Sequence, residues 1–264
     1  MKLFSRDYNA LLPEEEKRFA QIKRRERIKG SIGRKNLFRK YPRAARHNQQ
    51  LFPNNYLDVV ELKDEEKLRQ KLGKFRRLLE NRKCTERDVL RFIKTNKAYF
   101  IVGSILKRYQ FGHHGAFLFP EFPLGNSHVA DYLLVGDSSG GYEFLFVELE
   151  DPVRKSVMAK GAFGKTCRKG LEQIGDWKSW LDSHYSSLRE VLKSAKKPGT
   201  ALPDAFIDYD SSRMHFAVIS GTRKDYSEKT YRLRRDKHKN DGVLVLHYDN
   251  LVDDAAAIIG AETY

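Results

Sequence analysis

Cysteine is nearly missing from this 264-residue chain, which has only Cys84 and Cys167. Neither has a partner at metal-ligand spacing, and two thiols build no disulfide framework. A disulfide-stapled secreted domain is therefore set aside, and the default expectation is a reducing cytoplasm. Long apolar runs are missing as well. No stretch approaches the roughly 20 apolar residues of a membrane-spanning helix. The opening MKLFSRDYNALLPEEEK has neither the apolar core nor the small-residue cleavage site of a secretory signal. Acids are scarce in one segment: between Lys17 and Arg46, thirteen Lys and Arg meet the single acid Glu26. No internal repeat is visible.

What is present allows a sizeable core. Hydrophobic residues make up 40% of the chain and aromatics 12%. The length suits one large α/β domain, or one domain with a smaller extension. Fifty Lys and Arg against 35 Asp and Glu give a formal charge of +15, with a pI near 9.7. A surplus of that size suits a polyanion, because each phosphate contact releases condensed counterions. No lipidation signal accompanies the basic residues, so a membrane surface is the weaker partner.

The pattern divides the chain into a basic, mainly helical N-terminal extension over 1–83 and an α/β domain over 84–264. Leu11-Leu12-Pro13-Glu14-Glu15-Glu16 reads as a helix entrance, with acids at the positive end of the dipole. That helix runs to about Ile28, before Gly30 and Gly33. Residues 31–55 read as an irregular basic arm, in which Phe38, Tyr41 and Phe52 either stack on bases or pin the arm to the body. Arg24, Arg25, Lys35, Arg39 and Lys40 are its candidate phosphate contacts. A helix from Asp64 to Asn81 presents Leu68, Leu72, Phe75 and Leu79 on one face. Thr85 caps a helix over 86–95, with Asp88 three residues on, and a second helix is expected over Lys97–Tyr109. Strands are expected at Ala116–Phe122, His128–Val135, Tyr142–Leu149, Met214–Ser220 and Gly242–His247. Helices are expected at Gly164–Asp182, within 183–211 and after Tyr248. Strands separated by helices give a mixed sheet with helices on its faces.

The chemistry concentrates in HVADYLLV and YEFLFVELE, joined by the turn residues DSSGG. Asp131 lies inside an apolar strand, where a carboxylate costs several kcal/mol unless paired or bound to metal. Alternation puts Glu148 and Glu150 on one face of the next strand, continued inward by Phe146 and Phe144. Glu-x-Glu at a strand end is also what a solvated edge looks like. Opposite Asp131 in a hairpin, however, the two acids make an oxygen-rich pocket suited to Mg²⁺, with Mn²⁺ as a substitute. Gln173, Lys165 and Lys169 share a face of the following helix; both lysines also fit an ordinary solvated surface. Trp177 and Trp180 read as core. Glu121 and His128 are outlying candidates for the same cleft, and Arg223 for a backbone contact. His113 and His114 have no nucleophile beside them.

A strand Asp, a hairpin, an acid-x-acid strand end and a Gln-bearing helix resemble the PD-(D/E)XK nuclease superfamily. More closely, ADYLLV, YEFLFVELEDP and KGLEQIGDWKSWL resemble the C-terminal nuclease domain of Shedu-type antiphage defence proteins. TERDVLRFIKTNKAYFIVG, FAVISGTRKDY and VLVLHYDNLVDD extend the similarity, which covers roughly residues 84–254. The resemblance implies a restriction-endonuclease-like fold and a Mg²⁺-dependent DNA endonuclease active in bacterial defence, with a homo-oligomeric assembly. It also implies Asp131 and Glu148 as metal ligands and Gln173 as an orienting residue. Glu150 stands where most of the superfamily has Lys, so it serves as general base or further ligand, or a Lys arrives from elsewhere. The alternative is a nuclease-fold module that has lost catalysis and retains nucleic-acid binding or assembly.

Overall fold

The turn residues after His128–Ser138 fold back into Gly141–Leu149 as expected, with Ser138 paired to Gly141. Gly141 has a φ of +93°, a conformation glycine adopts without steric cost. This hairpin is the centre of a five-stranded mixed sheet in the computed structural model, which describes residues 1–28, 42–153, 156–158 and 160–264. We number the strands β1 (Gly115–Leu124), β2 (His128–Ser138), β3 (Gly141–Leu149), β4 (Met214–Ile219) and β5 (Val243–Leu246). They lie side by side in chain order. The first three are antiparallel, whereas β3, β4 and β5 run parallel. Parallel neighbours need crossover connections, and these are the long helix Lys165–Ala195 and the helix Glu228–Asp241.

The helices are α1 (Pro13–Ile28), α2 (Pro42–Gln49), α3 (Glu65–Glu80), α4 (Glu86–Asn96), α5 (Phe100–Gly103), α6 (Lys165–Ala195), α7 (Glu228–Asp241) and α8 (Tyr248–Ile258). Strand alternation divides the core in two. Leu134, Leu145, Val147 and Leu149 face the cluster that includes Leu72 and Phe75 of α3, Ile93 of α4 and Leu251 of α8. Leu133, Phe144, Phe146 and Val218 face Ile174, Trp177 and Leu181 of α6. Both faces are covered, which is why the strands read as nearly continuous apolar runs.

Several expectations change. Lys97–Tyr109 is not one helix: a single turn at Phe100–Gly103 passes into a 3₁₀ segment at Ser104–Arg108. Lys97 itself, at a φ of +50°, caps α4. The helix expected to stop at Asp182 continues to Ala195, bending at His184 (φ −134°, ψ 18°). Helix α7 was not anticipated, because its sequence offers no apolar stripe and only Thr230 is buried in it.

The irregular arm expected over 31–55 contains α2 and a buried anchor. Phe52 is fully buried, edge-on to Phe117 and Phe119 at 5.3 and 5.1 Å, so it pins the chain to the body. Tyr56 bridges to Phe117, and the Asn55 side chain donates to the Leu118 carbonyl at 2.9 Å. Arg46 and Asp58 form a buried ion pair at 2.9 Å, with the guanidinium 4.3 Å from the Phe4 ring. Of the proposed phosphate contacts, Arg24 and Arg25 are exposed on α1. Lys35, Arg39 and Lys40, like Phe38 and Tyr41, lie outside the described residues.

Trp177 is the largest fully buried side chain, and it holds α6 on the sheet. Trp177→Ala is expected to cost about 3–5 kcal/mol through lost burial and an unfilled cavity, measurable by urea denaturation.

Candidate active site

Asp131, Glu148 and Glu150 come from adjacent strands and lie on the α6 side of the sheet. The register pairs Tyr132 with Val147, so Asp131 and Glu148 fall one step past the last paired residues. Asp131 is half-buried, and its Oδ2 accepts the Leu149 N–H at 2.7 Å. This bond ties the β2 acid to the end of β3. Glu148 is only 4% exposed, and its Oε2 has no hydrogen-bond partner among the described residues. An oxygen hidden in this way ordinarily has a proton, a water or a cation beside it.

Glu150 is 2% exposed and is held on both sides. Its N–H donates to the Ile219 carbonyl at 2.8 Å, and its carbonyl accepts the buried Tyr248 hydroxyl at 2.7 Å. Its Oε1 receives Lys169 Nζ at 3.0 Å. The lysine therefore reaches the strand end from α6, while most of its side chain stays in solvent. Lys165, one turn earlier, is exposed and makes no ion pair among the described residues. Gln173, one turn later, is half-buried, and its Oε1 is hidden and partnerless.

Gly170 explains how closely helix and strand approach. A Cβ there would lie 2.8 Å from Val218 Cγ1 and 3.1 Å from Glu150 Cγ. Any larger residue would push the helix, and with it Lys169 and Gln173, off the acids. Gly170→Ala is expected to lower the unfolding free energy by about 1–3 kcal/mol through overpacking, despite the better helix propensity of alanine. Thermal unfolding monitored by circular dichroism measures this.

A fourth acid joins the cluster. Glu86 is the first residue of α4, and its carboxylate lies 4.0 Å from Lys169 Nζ. It is placed by the Thr85 capping box, in which Thr85 Oγ1 accepts the Asp88 N–H at 3.3 Å and Asp88 accepts the Thr85 N–H at 3.1 Å. The sequence shows Glu86 only as the first residue after the Thr85 cap, since nothing local shows that this terminus points at β3. The outlying candidates go elsewhere. Glu121 is exposed and pairs with Lys94 at 3.1 Å. Arg223 braces the C-terminal helix by an ion pair to Asp253. His113 and His114 pack edge-on against each other at 4.4 Å.

Electrostatics follow from burial. Desolvation, followed by the charges of Asp131, Glu150 and Glu86, raises the Glu148 carboxyl well above its ordinary value. Desolvation also raises Asp131, partly offset by the Leu149 hydrogen bond. Glu150 is raised by burial and drawn back down by Lys169. Burial lowers the Lys169 ammonium, but its hydrogen bond to Glu150 and the surrounding acids outweigh this and raise it, so it stays charged. Cys167 is buried beside the cluster and pushed up to about 12, which makes it an inert thiol. Among the described residues, no three carboxylate, imidazole or thiol groups already form a cation cage.

Raised carboxyls hold protons more tightly folded than unfolded. Above the ordinary carboxylate range of about 4, the unfolded state then binds fewer protons. Stability falls as pH rises from there through the raised values, and levels off beyond them. Glu148→Gln removes the buried charge but keeps the shape. It is expected to match the wild type near the ordinary carboxylate range and to be more stable at pH about 8 by about 1–3 kcal/mol, in urea titrations at both pH values.

No helix among the described residues is long and apolar enough to cross a membrane. A search of curated proteins found no match. The family model described as Shedu protein SduA, C-terminal, matches residues 83–252, the stretch that holds all four acids, Lys169 and Gln173. The chain belongs to the Shedu SduA C-terminal family.

Proposed function

We propose that the chain is a Mg²⁺-dependent DNA endonuclease hydrolysing phosphodiester bonds. Family membership supports a nuclease-like role in antiphage defence. The observation that carries the reading is the buried, partnerless Glu148 Oε2 beside Asp131 and the Lys169-held Glu150. These residues fit a hard divalent cation: the donors are carboxylate oxygens, one is unsatisfied, and their mutual repulsion is relieved by positive charge. When bound, the cation supplies Lewis-acid stabilisation of phosphate charge and orients the attacking water. Mn²⁺ has the same oxygen preference.

The chain's own groups divide the remaining tasks. Asp131 and Glu148 would hold the cation, with Glu86 within the same electrostatic cluster. Glu150, raised by burial, can take a proton from water nearer neutrality than an exposed carboxylate can. Lys169 remains an ammonium and offsets charge building on the phosphate. It supplies from the helix the cation that the strand lacks at Glu150. Gln173, one turn along α6 from Lys169 with a hidden amide oxygen that has no partner among the described residues, would orient what binds there. A binding-only reading is favoured by the presence of Glu150 where the resembled superfamily has Lys. Plasmid cleavage separates the two.

Wild type is expected to nick plasmid DNA in Mg²⁺ or Mn²⁺. Glu148→Ala should cut at least about 100-fold more slowly, and Lys169→Ala should be slowed as well, both with unchanged DNA affinity in Ca²⁺. Equal cleavage by wild type and Glu148→Ala would sink the proposal. In the same samples, the gain in melting temperature on adding Ca²⁺ should grow as pH rises, because protons compete for the buried carboxyls.

A further inference from the structure

Beside the acid cluster lies a face that the proposed chemistry leaves unused. Residues 156–158 and 160–164 form a small hairpin-like loop. Gly164 N–H donates to the Ser156 carbonyl at 2.6 Å, Val157 bridges to Phe163, and Met158 N–H donates to the Ala162 carbonyl at 2.8 Å. Thr230 Oγ1 donates to the Gly161 carbonyl at 3.0 Å and fastens the loop to the first turn of α7. A Cβ at Gly161 would lie 2.6 Å from Ser227 Oγ and 3.0 Å from Lys229 Cβ, so the loop packs directly on side chains at the start of α7.

A shallow groove of about 480 Å³ runs between this loop, the first two turns of α6 and the middle of α7. Met158, Phe163, Leu171 and Leu233 form an apolar floor, with Arg168, Lys237 and one acid, Glu172, at the rim. Met158 is 51% exposed, unusual for so large an apolar side chain. A second groove shares Leu233 and continues past Lys229, Arg232 and Arg235, with the acids Glu228 and Asp236 among them. Helix α7 holds six Lys and Arg against three acids. Its Arg234 is occupied by Asn250 and its Lys237 by Asp241. Lys229, Arg232 and Arg235, like Arg168, are exposed and make no ion pair among the described residues. Arg168 directly precedes Lys169, so the groove opens within one turn of α6 from the residue that grips Glu150.

We propose that this groove receives a single-stranded or locally unpaired DNA strand as it enters the acid cluster, seating one unstacked base on Met158, Phe163 and Leu233 while Arg168 and Arg232 hold the flanking phosphates. The inference rests on the nuclease reading and adds the form of substrate to it. Cations in excess of acids border an apolar floor, which matches a strand whose phosphates and base faces are both accessible. In a duplex the base faces are stacked inside, so the floor would go unused and only the phosphates would be felt.

The experiment uses the full chain carrying Glu148→Gln, with Ca²⁺, and reads anisotropy of a fluorescein-labelled oligonucleotide as single strand and as duplex. Phe163→Ala is expected to weaken single-strand binding about tenfold and leave duplex binding within about twofold. Met158→Ala serves if Phe163→Ala does not fold. Arg168→Glu with Arg232→Glu should weaken single-strand binding and reduce its log–log salt slope by about 1.4. The comparator is Arg189→Glu with Lys193→Glu, the same charge change about 30 Å along α6, which should leave both nearly unchanged. Equal losses from the two double variants, or equal losses for single strand and duplex with Phe163→Ala, overturn the inference. Cleavage by wild type is scored separately. Nicking without this binding pattern removes the groove and keeps the nuclease, whereas the pattern without nicking removes the nuclease.

Discussion

Carboxylates that repel one another are held at one end of a sheet, out of water, and every nearby element serves to keep them there. The Leu149 N–H fixes Asp131, the Tyr248 hydroxyl fixes the backbone at Glu150, and Lys169 fixes its side chain. Among the described residues, Glu148 Oε2 and, on α6, the Gln173 amide oxygen are left without a hydrogen-bond partner. A core built for stability alone would replace that group with an apolar side chain, at no cost or with a gain. The cluster therefore stores unfavourable electrostatic energy that a positively charged ligand would release.

The spacing of α6 makes this possible. Gly170 lets the helix approach β3 and β4 closely enough for Lys169 to span to Glu150, and it puts Gln173 one turn deeper. Trp177 and Leu181 continue the same contact as ordinary core. One helix thus changes character along its length. Its first turns are polar and aimed at the acids, its middle is buried packing, and its end beyond the His184 bend is a separate segment. On the opposite face, α4 begins at the Thr85 cap so that its first residue, Glu86, arrives within reach of Lys169. The dipole at that helix start favours the negative charge.

Much of this was legible in the chain, and the failures have identifiable causes. The hairpin, the alternation that puts Glu148 and Glu150 with Phe144 and Phe146, and the capped start at Thr85 are local patterns, and local patterns read well. The mixed sheet followed from the order of strands and helices. Helix α7 was missed because helices are recognised by an apolar stripe, and α7 buries little beyond Thr230. Phe52 could not be assigned by composition, because an aromatic among cations looks the same whether it stacks on a base or fills the core. Glu86 was invisible as part of the cluster because its partners lie more than forty residues away. Proximity of that kind is a property of topology, and no spacing rule carries it.

The exchange of strand lysine for glutamate at position 150 then acquires a physical meaning. Removing a cation from a cluster of acids and adding a further carboxylate shifts the local charge by two units in the same direction. Lys169 restores one of them from the neighbouring helix. It also arrives with its side chain half in solvent and next in sequence to Arg168, which lines the groove between α6 and α7. A strand lysine would be fixed within the sheet, isolated from that surface. A helix lysine couples the acids to the path along which a polyanion would approach. The same turn of α6 thereby carries both a partner for the buried charge and an exposed cation.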